Sequence, residues 1–413
     1  MDDTELTQRV AAATHENPMK LITREFMRDP YPTLRLIQRL SPAVPVINNG
    51  FRMWVVTRYD DVHTILADPE LGKDLVGRRR QVVPQSMIRP ERKARFAPES
   101  RRSVLDRDGA DHHRLRTVLG PMFSPGRLTD YRLRLERVAD RLADGFCAGA
   151  RIDAVDQFAR PFSATFASEL LGIPEGERDG FPVWETEMLT APTIERIEAG
   201  GRLLYEFALR MVEFKRAEPG DDLFTWLLSL HDDEGRIDAD ELASTIIMLT
   251  VAASEPTVAI GNGLLLLLSR PEELAKARAL DYQGCVDEIL RFESPFRMLP
   301  PRFFDRPLEL GEVTLAPGEL ILLSVASANR DPRRFPDPDR FDVARTGRGH
   351  LGFGFGTHRC MGAQLGRMAT EIGLRALLDR FPGSTLRIPA QDAEWRLGTF
   401  LRRLDNLPIT LAR

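Results

Sequence analysis

The strongest constraint on how this 413-residue chain can fold is one long apolar stretch, LASTIIMLTVAASEPTVAIGNGLLLLL, running from Leu242 to Leu268. Two physical solutions exist for it. Roughly 20 apolar residues can span a bilayer as a helix, or the helix can run through the middle of a water-soluble protein that wraps around it. Glu255 sits near its centre, where a carboxylate in hydrocarbon costs about 2.5–3.5 kcal/mol, and Pro256 and Asn262 interrupt it further. The expectation is a buried core helix. The rest of the composition agrees, because 43% hydrophobic and 29% charged residues supply both a core and a solvated surface. The 57 Lys and Arg against 61 Asp and Glu leave a formal charge of −4, which gives no electrostatic footprint for nucleic acid. The opening MDDTELTQRVAAATHENP has no apolar run after a basic patch, so neither a signal peptide nor a membrane anchor is expected. Residues 1–27 read as a loose N-terminal arm leading into a short helix. Cys147, Cys285 and Cys360 are scattered and odd in number, which speaks against a disulfide framework and for a reducing cytoplasm.

A second stretch carries chemistry. In HLGFGFGTHRCMGAQLGR, His350 to Arg367, Gly352, Gly354 and Gly356 crowd ahead of Cys360, and Leu365, Met368 and Ile372 recur behind it at helical spacing. A sulfur at a helix start is surrounded by free backbone N–H groups and the positive end of the dipole, which favours a thiolate. A lone cysteine is otherwise a small buried hydrophobe. The run Phe353-Gly354-Phe355-Gly356-Thr357-His358-Arg359-Cys360-Met361-Gly362 resembles the haem-binding signature F-G-x-G-x-H-x-C-x-G of the cytochromes P450 at every fixed position. The resemblance implies a mainly α fold with a small β region, a single compact domain over residues 1–413, and haem b between the long core helix and the Cys-loop helix. Cys360 would be the axial thiolate, the ligand that favours O–O cleavage, and His358 would contact a haem propionate.

Other segments match in family order. Pro42 to Arg58 contains two β-rich runs around Asn48-Asn49-Gly50, a hairpin signal, and Asp60 to Ala67 has helical spacing. Lys73 to Arg102 is irregular and its Lys and Arg far outnumber Asp74, Glu91 and Glu99. Such a run is either a solvated loop or a surface that steers an anionic substrate or an acidic carrier protein. In DGADHHRLRTVLGPMF, His112 and Arg116 are four apart on one helix face and resemble the family's H-x-x-x-R propionate pair. The family places a movable lid around Phe181 to Tyr205, where Ala199, Gly200 and Gly201 would permit bending. Glu288 and Arg291 in DEILRF resemble E-x-x-R, whose pair would lock to Arg340 in Phe335-Pro336-Asp337-Pro338-Asp339-Arg340-Phe341. ANRDP lies between them, and Pro300-Pro301-Arg302 nominates Arg302 as a further propionate ligand. Val313 to Val325 and Leu397 to Leu411 are expected to complete a small sheet.

One departure bears on the reaction. The family's core helix reads [AG]-G-x-[DE]-[TS], and aligned on Glu255 this chain reads Ala252-Ala253-Ser254-Glu255-Pro256, so Ala253 replaces the glycine and Pro256 the alcohol. Pro256 has no N–H, and inside a helix it opens the preceding turn at a cost of about 3 kcal/mol. Ala252 C=O, Glu255 and Thr257, about 100° around the helix from the usual position, would then organise water. Three readings stay open: a monooxygenase with protons from ordered water or a substrate hydroxyl; hydrogen abstraction followed by coupling or ring closure without oxygen insertion; and a P450-like protein that binds without turnover. The substrate is expected to be a medium-sized secondary metabolite, in a pocket that includes Ala252, Ala253, Met298, Leu299 and Phe400. Electrons would come from a separate ferredoxin and ferredoxin reductase, with Arg114 and Arg359 as basic residues near the Cys side.

Overall fold

A computed structural model of the chain describes residues 3–48, 50–86, 102–180, 183–184, 188, 194–347, 349–396, 398 and 400–413. The long apolar stretch forms two helices in series, Ala239–Ser254 and Pro256–Leu268, joined at Glu255. The first starts sharply because its cap is reciprocal. Asp238 accepts from the Glu241 N–H at 2.8 Å, and the Glu241 carboxylate accepts from the Asp238 N–H at 3.0 Å. The second helix is buried almost all round, from Thr257 to Leu267, as a helix apolar on every face must be. By length and composition the run could cross a membrane, yet most of it lies inside the protein. It is a core helix. Its first half packs on the Arg160–Leu171 and Ile194–Ala217 helices, its second on Cys285–Phe292 and Ala363–Leu378.

Pro256 acts differently from the expected helix-breaker. It occupies the first turn of the second helix, where its fixed φ is already helical and its missing N–H is one that a helix start leaves open. The interior penalty is thereby avoided. The local cost falls on Ala252, whose carbonyl accepts from the Glu255 N–H at 3.4 Å, at the long edge of hydrogen bonding.

Among the described residues, nine short strands form three sheets: β1 Met19–Lys20, β2 Ala43–Asn48, β3 Phe51–Val56, β4 Arg151–Asp153, β5 Leu308–Leu310, β6 Val313–Leu315, β7 Leu320–Leu323, β8 Thr385–Leu386 and β9 Pro408–Thr410. The β2–β3 hairpin is present, with Ala43 opposite Val56 and Asn48 opposite Phe51; Asn49 at its turn lies outside the described residues. It is flanked in parallel by β1 and β7. The expectation of one small sheet from Val313–Val325 and Leu397–Leu411 is corrected: β6 pairs with β5, β7 joins the hairpin, and β9 sits between β4 and β8. Each segment buries a different face, so each finds a different partner.

Two further expectations change. The N-terminal arm is ordered, because Asp3–Ala11 is a helix whose Leu6 and Val10 are buried with Met19, Leu21 and Phe26 against the hairpin sheet. Buried arginines clamp it, since Arg402 donates to Arg28 O at 2.7 Å and Arg297 to Met27 O at 3.1 Å. The lid segment does not bend at its small residues, because Ile194–Ala217 runs as one helix through Ala199, Gly200 and Gly201. The part of the lid at 181–182, 185–187 and 189–193, and the part of the basic loop at 87–101, lie outside the described residues.

Candidate active site

The Cys loop is set by backbone geometry. Gly354 and Gly356 take φ of +67° and +68°, a region that side-chain-bearing residues resist, whereas Gly352 does not. Gly356 is further constrained by contact, since a Cβ there would lie 1.9 Å from Leu66 O. The turn closes through Gly354 N–H to Leu351 O at 2.8 Å and Cys360 N–H to Phe353 O at 2.9 Å. The helix behind it spans Ala363–Leu378, so the sulfur precedes its first turn, and the Gly362 N–H donates to it. Burial pushes the Cys360 thiol above its ordinary value, outweighing the Gly362 N–H and the nearby Arg116, Arg359 and Arg367. A metal cation bound to the sulfur would deprotonate it outright.

Beside the loop lies a cluster of basic side chains, His112, Arg116, Arg302 and His358, with the Asp108 carboxylate at its edge. The His112 and His358 rings stand 4.1 Å apart between centroids, and Arg116 donates to Arg359 O at 2.9 Å. Arg302 is buried and donates to Pro300 O at 2.5 Å, while its Nε and His112 Nδ1 are buried without any acceptor. Burial, then the neighbouring His358 and Arg116 charges, depress His112 to about 4, and burial lowers Arg302 to about 10. Asp108, which sequence reasoning placed only ahead of the helix, has a specific task. Its carboxylate accepts from the Lys73 and Asp74 N–H groups at 2.8 Å each and lies 3.4 Å from His358 Nε2. It thus joins the Cys-loop histidine to the start of the basic loop.

Behind the loop, Glu288 and Arg291 form a buried two-point pair at 2.7 and 2.8 Å. Arg291 also donates to the carbonyls of Asn329, Pro338 and Arg340 at 2.9, 2.9 and 3.1 Å. Arg340 as the third ionic member is corrected. Its side chain is mostly exposed and reaches only Asp342, whereas Arg345 Nε lies 3.3 Å from Glu288 Oε1. Arg340 contributes a carbonyl, because its side chain leaves the chain on the solvent side. Asn329, in the ANRDP segment, completes the link: its Oδ1 accepts from Leu351 N–H at 2.6 Å, tying the Arg291 cluster to the Cys loop. A second tie, invisible to motif matching, is Asp287, which binds Arg367 at 2.6 Å and His350 at 3.1 Å. Burial would raise its pKa, but these two partners hold it well below the usual carboxylate range.

Cys360, the cation cluster and the helix junction all line one cavity of about 1700 Å³. That exceeds the ~300–1,000 Å³ of a typical ligand pocket and leaves room for a large prosthetic group together with a substrate. Ala252, Ala253, Glu255, Pro256, Leu299 and Phe400 line it as expected. Met298 and Thr257 do not. Met298 is fully buried against the hairpin sheet, while Thr257 is buried with its hydroxyl 3.3 Å from Ala159 O. In both cases the one-residue step turns the side chain away from the cavity. Arg114 and Arg359 are both exposed, and Arg114 also pairs with the buried Glu241.

The family sequence model described as Cytochrome P450 matches residues 282–397. The 6-deoxyerythronolide B hydroxylase of Saccharopolyspora erythraea is 38% identical over 397 residues, covering 94% of this chain and 97% of that one. The chain belongs to the cytochrome P450 family. Another relative of this P450 is the monooxygenase PikC of Streptomyces venezuelae, 35% identical over 94% of this chain and 93% of its own. The solved structure of the tirandamycin C-bound P450 monooxygenase TamI superposes with a TM-score of 0.87 at 30% identity, covering 94% and 99% of the two chains.

As a P450 the protein is a haem-dependent oxidoreductase, and bacterial P450s draw their electrons from ferredoxin and its reductase. The residues present fit haem b. Cys360 would supply the soft thiolate ligand that haem iron takes, and the orphaned Arg302 Nε and His112 Nδ1 lack acceptors of the kind its two propionates would offer. His112, Arg116, Arg302 and His358 would hold those carboxylates. When bound, the haem supplies reductive activation of dioxygen.

Proposed function

We propose that this P450 is a monooxygenase that inserts oxygen into a medium-sized product of secondary metabolism, in the cytoplasm, with ferredoxin and ferredoxin reductase as separate electron donors. The observation that carries this reading is the single cavity of about 1700 Å³ shared by the thiolate loop, the cation cluster and the helix junction. The kinship with 6-deoxyerythronolide B hydroxylase, PikC and TamI supports the substrate class. Exposed Arg359 suits an acidic redox partner. An acidic carrier protein presenting the substrate is supported by likeness to P450BioI, solved with a fatty-acid-ligated acyl carrier protein, at 26% identity and a TM-score of 0.82.

The protein's own residues bind the substrate, exclude water and supply protons. Near the junction, among the described residues, no core-helix hydroxyl faces the cavity: Thr250 donates to Ile246 O, Ser254 to Val251 O and Thr257 to Ala159 O. Proton supply therefore falls to the Glu255 carboxylate and to water held at the weakly bonded Ala252 carbonyl, completed by a substrate hydroxyl.

The same lack of an alcohol favours a second reading, oxidative coupling or ring closure, in which no oxygen enters the product. The C–S bond-forming P450 CxnD, with a TM-score of 0.84 at 28% identity, supports it. Turnover under labelled dioxygen separates the two. Label in the product is the expected result, and an oxidised but unlabelled product replaces insertion with coupling.

A further inference from the structure

The cavity wall built by the Ile194–Ala217, Ala239–Ser254 and Pro256–Leu268 helices is apolar apart from a few groups. Among its described lining residues there is no Lys, Arg or His, but there are two carboxylates, Glu198 and Glu255. Glu198 stands out from the other acids of its helix. It lines the cavity, and its Oε1 is buried with no donor within hydrogen-bond reach. The obvious intrahelical partner would be Arg202, one turn on, yet Arg202 is exposed and makes no ion pair with it.

A buried carboxylate can only accept, and without a partner it is costly. Oε1 has no accessible surface, so while water fills the cavity it hydrates the carboxylate only through the other oxygen. A substrate that displaces the water must offer a donor in its place, or leave a stranded charge beside an apolar surface. A neutral hydroxyl would satisfy the hydrogen bond but not the charge. A protonated amine satisfies both, and no cation on this wall competes for it.

We propose that Glu198 is a specificity-determining residue that selects substrates carrying a basic amino group, which it binds as the ammonium form. This deepens the monooxygenase reading and rests on it only for the identity of the cavity as the substrate site. Recognition works by difference, because ligands without a cationic donor strand the carboxylate.

The test is calorimetric titration of the haem-loaded protein with N,N-dimethyldecylamine, decan-1-ol and decanoate, each below its aggregation threshold. Wild type is expected to bind the amine at least ~10-fold more tightly than the alcohol, as one charge-assisted hydrogen bond supplies. Glu198→Gln should erase most of that preference while leaving alcohol affinity within about twofold, and Glu198→Lys should shift the preference to decanoate. The carbon-monoxide difference spectrum of each variant reports whether it still folds and loads haem. Equal affinities in wild type, an alcohol preference, or an amine preference that survives in Glu198→Gln with an intact spectrum overturns the proposal. Wild type that binds the amine through Glu198 yet leaves labelled oxygen out of its product keeps this proposal and overturns insertion.

Discussion

The Cys-loop side of the cavity and the helix-junction side are built on opposite principles. Around Cys360 each constraint is repeated: two glycines at positive φ, two backbone bonds closing the turn, Asn329 holding Leu351, and Asp287 gripping Arg367 and His350. At Glu255 the first helix ends on a long contact to Ala252 O at 3.4 Å before the second begins with Val258 N–H to Glu255 O at 3.0 Å, and the nearby hydroxyls turn back on their own helix or away from the cavity. The difference is physical. A metal ligand loses function if it moves by an ångström, so redundancy is useful there, whereas a proton-supplying turn needs room for water and a substrate group.

Breaking the rigid side should cost most. Arg291→Ala removes one member of a pair whose side chains are each about 3% exposed, and should destabilise by ~3–5 kcal/mol in chemical denaturation. Arg340→Ala should stay within ~0.5 kcal/mol, because an exposed arginine contributes little. A large loss at Arg340 would restore it to the ionic cluster. Gly356→Ala meets both the strained φ and the Leu66 carbonyl, so a loss of ~2–4 kcal/mol and poor haem retention are expected.

Asp287→Asn should cost ~1–3 kcal/mol at neutral pH, with a signature in acid. The folded-state pKa of Asp287 is depressed, so its contribution is fully present above the ordinary carboxylate value near ~4 and is lost as pH falls through the folded value. The gap between wild type and variant therefore narrows below about pH 4, as urea titrations at a series of pH values would read. On the loose side, Pro256→Thr should change stability by less than ~1 kcal/mol, since the first helical turn tolerates both residues. Its effect should appear instead as a severalfold change in hydrogen peroxide leakage per electron consumed. Unchanged leakage would remove the junction from the proton path.

Local rules made much of this legible in the sequence. The glycine–cysteine run, the His112–Arg116 spacing, the Glu288–Arg291 spacing and the apolar length of Leu242–Leu268 each depend on residues a few positions apart, where helical and turn geometry are set by covalent structure and solvent alone. The replacement of Arg340 by Arg345 was not legible in this way, because it depends on which of two nearby arginines the folded surface turns inward. Nor were the turning away of Thr257 and Met298, the hold of Arg297 and Arg402 on the Met27 and Arg28 carbonyls, or the orphaned Oε1 of Glu198. These are contacts between segments far apart in the chain, and side-chain direction at such contacts is decided by what packs against it. The sequence by itself determined the family signature around Cys360 and the apolar length of the core helix, because both are set by residues close together in the chain. Only the tertiary structure decided which polar groups are left facing the substrate, because an unpaired donor or acceptor exists only once every other partner has been placed.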